Sequence, residues 1–188
     1  MTIPIIDKAI IDSLIGNKVG PYNSFNAVNE IQIWQWCSVV GDNNPLFTSA
    51  EYRQQNNISA PLAPPSMMQM WTMRDVNDDY APGSTAQSPY KVFDEMTVLG
   101  YESNVAASYD ISFKRYLTVG ERPLHYTSIC NISEQKKTAL GLGYFVTEKV
   151  EYSTTDNAPF ATALITYFQY HAVEKTQVGD KGPKKKMA

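Results

Sequence analysis

A carboxylate and an aromatic ring five positions apart, in the run Gly41-Asp42-Asn43-Asn44-Pro45-Leu46-Phe47, are the residues of this chain that bear most directly on chemistry. Asp42 is of the type that takes a proton from water or holds a water in place. Phe47 offers neither a lone pair nor a proton, so any hydration or hydrolysis step in this run would rest on Asp42 alone. Asp-Asn-Asn-Pro is also ordinary turn chemistry, because Asp and Asn side chains fold back onto backbone N–H groups and proline presets its own φ. Other candidates are few. His125 and His171 are the only histidines, and both fall in strand-like segments where a lone histidine is usually structural. No Gly-x-Ser-x-Gly elbow exists for a serine hydrolase. Gly141-Leu142-Gly143 lies inside a strand pattern, where glycines mark a bulge or a close approach rather than a phosphate cradle. Cys37 and Cys130 read as buried free thiols, with neither a disulfide nor a metal site expected.

In order and spacing the 41–47 run resembles the Gly-Asp-x-Asn-Pro-Leu-His signature of the MaoC-like, R-specific enoyl-CoA hydratases. Phe113-Lys114-Arg115-Tyr116-Leu117-Thr118-Val119-Gly120-Glu121 resembles that family's F-x-R-P-x-x-x-G-D strand and turn. Lys137-Thr138-Ala139-Leu140-Gly141-Leu142-Gly143-Tyr144-Phe145 is similar to the K-T-x-L-G-x-G-x-F strand of MaoC-like proteins of steroid side-chain degradation. The likeness runs over residues 20–173. In the family, the Asp and His of the signature hold a water between them and deliver it to a 2-enoyl thioester. Here the Asp is Asp42 and the His position is Phe47. Active members also carry a glycine whose N–H, at the start of the central helix, polarises the thioester carbonyl; the matching stretch here is Leu62-Ala63-Pro64-Pro65-Ser66-Met67-Met68, and proline has no N–H to give.

The resemblance therefore implies a decayed catalytic loop in which Asp42 is vestigial or weak. The nearest likeness is to the non-catalytic MaoC-like subunit of steroid side-chain 2-enoyl-CoA hydratases. On that likeness Phe47, Pro65, Ser66, Met67, Met70 and Trp71 would shape the wall of an acyl pocket. A MaoC-like partner with an intact Asp/His motif would supply base and acid, and no cofactor is implied beyond the CoA carried by the substrate. Two rival readings stay open: a self-sufficient homodimeric hydratase or thioesterase working through Asp42, and a non-enzymatic acyl-CoA-binding module.

The elements that must position these residues follow from periodicity. Residues 28–39 and 49–56 read as helices flanking the loop, with Asn26 or Asn29 capping the first and Ser49 the second. Pro64 and Pro65 open a third helix, whose Met67-Met68-Gln69-Met70-Trp71-Thr72-Met73 is apolar nearly all round and has to be wrapped. Alternation of Tyr109, Ile111 and Phe113 with polar neighbours, and similar runs at 123–132, 138–152 and 161–173, supply antiparallel strands. Periodicity gives α+β; the resemblance makes it a hotdog fold, an antiparallel sheet wrapped around a long buried central helix. Asp75 to Ser88, rich in Asn, Asp, Gly, Ser and Pro, reads as a surface excursion. Residues 1–16 place Ile3, Ile6, Ile10 and Leu14 in a short amphipathic helix. The expected organisation is an N-terminal helical extension over 1–19, a hotdog domain over 20–174 and a basic, disordered tail over 175–188.

Composition bounds the rest. With 188 residues, 43% hydrophobic and 12% aromatic, one domain can bury a core without disulfides or metal. A net charge of −3 and a pI near 5.4 argue against a general nucleic-acid binder. The first 16 residues lack the apolar core of a signal peptide and fall short of the about 20 residues of a membrane span, so a cytoplasmic protein is expected.

Overall fold

The computed structural model describes residues 5–173; the basic tail expected over 175–188 lies outside them, as does Ile3. Helices fill the first half of the chain. α1 (Lys8–Leu14) is capped by Asp7, whose side chain accepts from the Ala9 N–H. Its apolar contacts come from Ile11 and Leu14 with Ile15, while Ile10 faces solvent. The buried stripe differs from the expected one because the helix begins only at Lys8; Ile6 enters the core from extended chain, its N–H donating to the Tyr144 hydroxyl at 2.9 Å. A strand not expected from the sequence, β1 (Val19–Asn23), follows. α2 (Glu30–Val40) is capped by Asn29 and stops at Gly41, whose left-handed φ of 72° a glycine adopts without steric cost. The single turn α3 (Pro45–Thr48) and α4 (Ala50–Gln55) come next, capped by Asn44 and Ser49.

After β2 (Leu62–Ala63), a 3-10 turn over Pro65–Met67 runs into α5 (Met68–Trp71). The central helix is thus about two turns, shorter than the long helix expected. It ends because the chain beyond it bonds to itself: the Asp75 carboxylate accepts from the N–H groups of Asn77 and Asp79 at 2.8 and 3.0 Å, and such local Asx bonding competes with the helical ladder. The excursion that follows is pinned to β1, with Tyr22 Oη donating to the Gln87 carbonyl at 2.7 Å and the Thr85 N–H to the Pro21 carbonyl at 2.9 Å. The Arg74 guanidinium lies over the rings of both Tyr80 and Tyr90 at 5.3 Å. α6 (Lys91–Val98), also not expected, then buries Val92 and Met96.

The second half supplies β3 (Ser103–Phe113), β4 (Leu117–Thr118), β5 (Pro123–Ile132), β6 (Lys136–Lys137), β7 (Gly141–Thr154) and β8 (Pro159–Ala172). The main sheet is antiparallel in the order β1-β5-β7-β8-β3; β6 adds to β7, and β2 and β4 form a separate pair. Register places Tyr22, His125, Tyr152, Ala161 and Phe113 in one row across five strands. Along β7, Tyr144, Val146, Glu148, Val150 and Tyr152 all point into the protein. At Gly143 a Cβ would sit 2.2 Å from the Gln169 carbonyl oxygen, so the close approach of β8 requires glycine there. Cys37 is buried, but Cys130 is exposed, against expectation, because it sits at the irregularity between Ile129 and Asn131 that turns it outward.

Two hydrophobic clusters fill the inner face. One joins Val28, Ile33, Phe47, Met67 and Trp71 to Val150, Tyr152 and Ala163; the other joins Ile6, Val92, Met96 and Tyr101 to Ile129, Tyr144 and Val146. Glu148 lies in the row between them, opposite Ile129 and Ile165 and only 6% exposed. It accepts hydrogen bonds from the hydroxyls of Thr127 and, at 3.3 Å, Tyr167. Burial pushes its carboxyl up, outweighing those two bonds. The folded state favours the protonated form, so this contribution is full below the unfolded carboxyl's pKa and is lost as pH rises through the raised value. Glu148→Gln keeps an acceptor for both hydroxyls and should flatten that loss. Thermal melts of both proteins between about pH 4 and pH 8 check it, and parallel curves would refute it. Among the described residues no helix is long and apolar enough to cross a membrane.

Candidate functional site

The loop after α2 is built by its own side chains. The Asp42 N–H donates to the Cys37 carbonyl at 2.9 Å, closing the helix, and Asp42 Oδ1 accepts from the Asn44 N–H at 3.0 Å. Asn44 Oδ1 in turn accepts from the Leu46 N–H at 3.0 Å. Asp42 therefore serves as an Asx-turn acceptor, partly exposed, at the head of the turn. Phe47 points the other way. It is 8% exposed in the first cluster, with its ring edge-on to Tyr116 at 5.9 Å between centroids. Its carbonyl accepts from the buried Arg53 guanidinium at 3.2 Å. Where a catalytic side chain would project, an apolar ring anchors the loop in the core.

Beside this loop runs a narrow slot, between Ala63, Pro64, Pro65, Met68 and Trp71 on the helical side and Phe113, Arg115, Tyr116, Leu117 and Phe160 on the sheet side. Of the residues expected to form an acyl wall, Pro65 and Trp71 line this slot, and Phe47 reaches it through Tyr116. Met67 is fully buried, Met70 is packed on the core, and Ser66 is exposed with its Oγ accepting from the Trp36 Nε1–H at 3.1 Å. Sequence reasoning missed Met68 and the aromatic wall of Phe113, Tyr116 and Phe160. The Phe113–Glu121 motif marked that segment, yet its facing toward Pro65 depends on the pairing of β2 with β4. Arg115 is held by Glu121 at 2.8–2.9 Å. Burial alone would raise the Glu121 carboxyl, but Arg115 and the Thr118 N–H hold it below the usual carboxylate range.

The histidines stand apart from the slot. His125 is sandwiched against Tyr22 and Tyr152, at 4.9 and 5.6 Å, and burial pushes it down to about 4. His171 Nδ1 lies 3.1 Å from the Gly100 carbonyl oxygen. Among the described residues no three His, Cys, Asp or Glu side chains gather as a metal site would need.

Residues 13–163 match the family described as FAS1-like, dehydratase domain region. The chain belongs to that family. This FAS1-like dehydratase domain is 30% identical over 179 residues to a probable enoyl-CoA hydratase alpha subunit of Thermomonospora curvata, covering 93% of this chain and 54% of that protein. It is 26% identical over 151 residues to the 3-oxo-4,17-pregnadiene-20-carboxyl-CoA hydratase alpha subunit of Mycobacterium tuberculosis, covering 80% and 48%. The chain spans about half the length of these curated relatives. Among solved structures, the ChsH1-ChsH2 complex from Mycobacterium tuberculosis matches with a TM-score of 0.72 at 24% identity, over 89% of this chain and 91% of that one. An (R)-hydratase from A. caviae involved in PHA biosynthesis matches at 0.52 and 12%, over 81% and 94%. These likenesses establish the fold of the FAS1-like dehydratase domain as the MaoC-like hotdog.

Proposed function

We propose that this chain is the non-catalytic, acyl-pocket-shaping subunit of a heteromeric 2-enoyl-CoA hydratase acting in the cytoplasm. The reaction is addition of water to a trans-2-enoyl-CoA to give a 3-hydroxyacyl-CoA. A MaoC-like partner with an intact Asp/His pair takes the proton from water and returns one to the α-carbon, and no cofactor is required beyond the CoA of the substrate. One observation carries the reading: Phe47, at the family's acid–base position, is buried in the core, while Asp42 is committed to the turn. The prolines at the start of the central helix add to it, since they withhold the N–H that would polarise the thioester.

The free edge of the sheet supports a partner. Among the described residues β3 pairs only with β8, and it exposes Val105, Tyr109 and Phe113 along its length, with Tyr116 just beyond. An unpaired edge carrying apolar side chains is covered when a second sheet continues it. A bulky acyl group is favoured by the substrate named for the Mycobacterium tuberculosis relative. Co-expression with a MaoC-like subunit that retains Asp-x-x-x-x-His tests the reading. A stable heteromer that turns over steroid enoyl-CoA in preference to crotonyl-CoA is expected. A chain that stays monomeric and leaves the partner's substrate range unchanged would leave the acyl-CoA-binding module as the better account.

Within that complex, Asp42→Asn keeps an oxygen acceptor for the Asn44 N–H. Because a general base contributes about two to four powers of ten in rate, activity should stay within about tenfold of the parent if Asp42 is structural. Steady-state rates on complexes of verified assembly decide this, and a fall to background would place Asp42 in the chemistry.

A further inference from the structure

Trp71 is 5% exposed, and its indole Nε1 meets no acceptor among the described residues. Trp36 is the contrast, since its indole N–H is taken up by Ser66 Oγ at 3.1 Å. A buried donor without an acceptor costs about 1–3 kcal/mol, and folded proteins keep few of them. Trp71 also lines the slot described above, whose neighbouring prolines contribute no N–H and whose Arg115 is already engaged by Glu121. Trp71 thus brings to the slot's lining a buried indole N–H without an acceptor among the described residues, beside an Arg115 guanidinium that is ion-paired to Glu121. The slot's free room is about 10 Å³, sized for a single water or one protruding oxygen and far too small for a ring.

We propose that Trp71 Nε1 donates a hydrogen bond to one oxygen of the bound acyl thioester, seated in the slot between the central helix and the Phe113–Tyr116 wall. That oxygen is the thioester carbonyl or a ketone carried on the acyl group; both are acceptors of the same chemistry. The inference rests on the acyl-CoA reading above and adds a specificity element to it. A donor in an apolar slot rewards a ligand that brings an acceptor and penalises one that leaves the donor bare.

The test uses the complex of the full chain with its MaoC-like partner, with 15N-labelled tryptophan in this chain only. The Trp71 indole resonance is assigned by its loss in Trp71→Phe. Titration then uses three probes, 3-oxo-4,17-pregnadiene-20-carboxyl-CoA, its counterpart without the ring ketone, and crotonyl-CoA, with binding followed separately by calorimetry. Downfield movement of the Trp71 N–H with every probe that binds assigns the thioester carbonyl, and movement only with the 3-oxo probe assigns the ring ketone. Trp71→Phe should weaken the responsive probe about tenfold without lowering the melting temperature, since it keeps an aromatic ring and removes a bare donor. Binding with an unmoved Trp71 resonance overturns the proposal and leaves the hydratase reading standing. Absence of binding by all three probes overturns both.

Discussion

Purified without a partner, the chain should hydrate crotonyl-CoA at least about a thousandfold more slowly than a hydratase with an intact Asp/His pair. Two losses combine in that figure. Removal of an acid–base group costs about two to four powers of ten, and removal of a carbonyl-polarising donor costs about two to three. Phe47 supplies no proton, and Pro65 supplies no N–H. Phe47→His alone should not restore activity, because Pro65 still withholds its donor and the new imidazole would begin in an apolar cluster beside Tyr116. Initial rates on the chain alone and on the variant measure this directly. A turnover of about one per second or faster without partner would sink the non-catalytic reading.

Acid should destabilise the fold by about 3 kcal/mol between pH 7 and pH 4 through one residue, His125. Its imidazole is held between Tyr22 and Tyr152, and burial lowers it from 6.5 to about 4, a gap that corresponds to about 3 kcal/mol. The sign follows from the neutral form being the one that folds. The contribution is whole above the unfolded value near 6.5 and is lost as pH falls through the folded value near 4. Glu148 acts in the opposite direction, so a pH profile of the parent alone does not isolate either group. His125→Phe keeps an aromatic ring in the stack and has nothing to protonate. Urea unfolding at about pH 7 and about pH 4.5 should show a smaller acid loss in the variant than in the parent, and an equal loss would assign the sensitivity to other residues.

What was legible in the sequence follows physical lines. The run from Pro123 to Ile132 was legible as a strand and its bounds emerge as read, although its burial pattern is broken at the irregularity between Ile129 and Asn131. Ser49 before α4 and Asn29 before α2 were visible because a cap is a local interaction between a side chain and the next turn. β1 and α6 were not. Val19–Asn23 includes a glycine and a proline and is a strand only because β5 offers it an edge, and Lys91–Val98 is a short helix whose Val92 and Met96 gain their meaning from Ile129 and Val146. Within the candidate site, the departures at Phe47 and Pro65 were evident as missing chemistry, since absence of a proton or an N–H is written in the residue type. That Phe113 and Tyr116 would face Pro65, or that Trp71 would be left without an acceptor among the described residues, depends on contacts across the fold.

The seam at Glu148 divides more than two sets of side chains. Of the residues lining the slot, Ala63, Met68, Trp71, Leu117 and Phe160 belong to the cluster around the central helix, whereas α1 and the buried face of α6 pack in the other, with Phe93 of α6 reaching Tyr167 across the seam. Cooperativity in a folded chain is carried by shared burial, and on β7 a carboxyl interrupts it between Val146 and Val150. In hydrogen exchange the amides of α1 and α6 are therefore expected to open by partial unfolding, while those of the cluster around the central helix keep their protection up to the global limit.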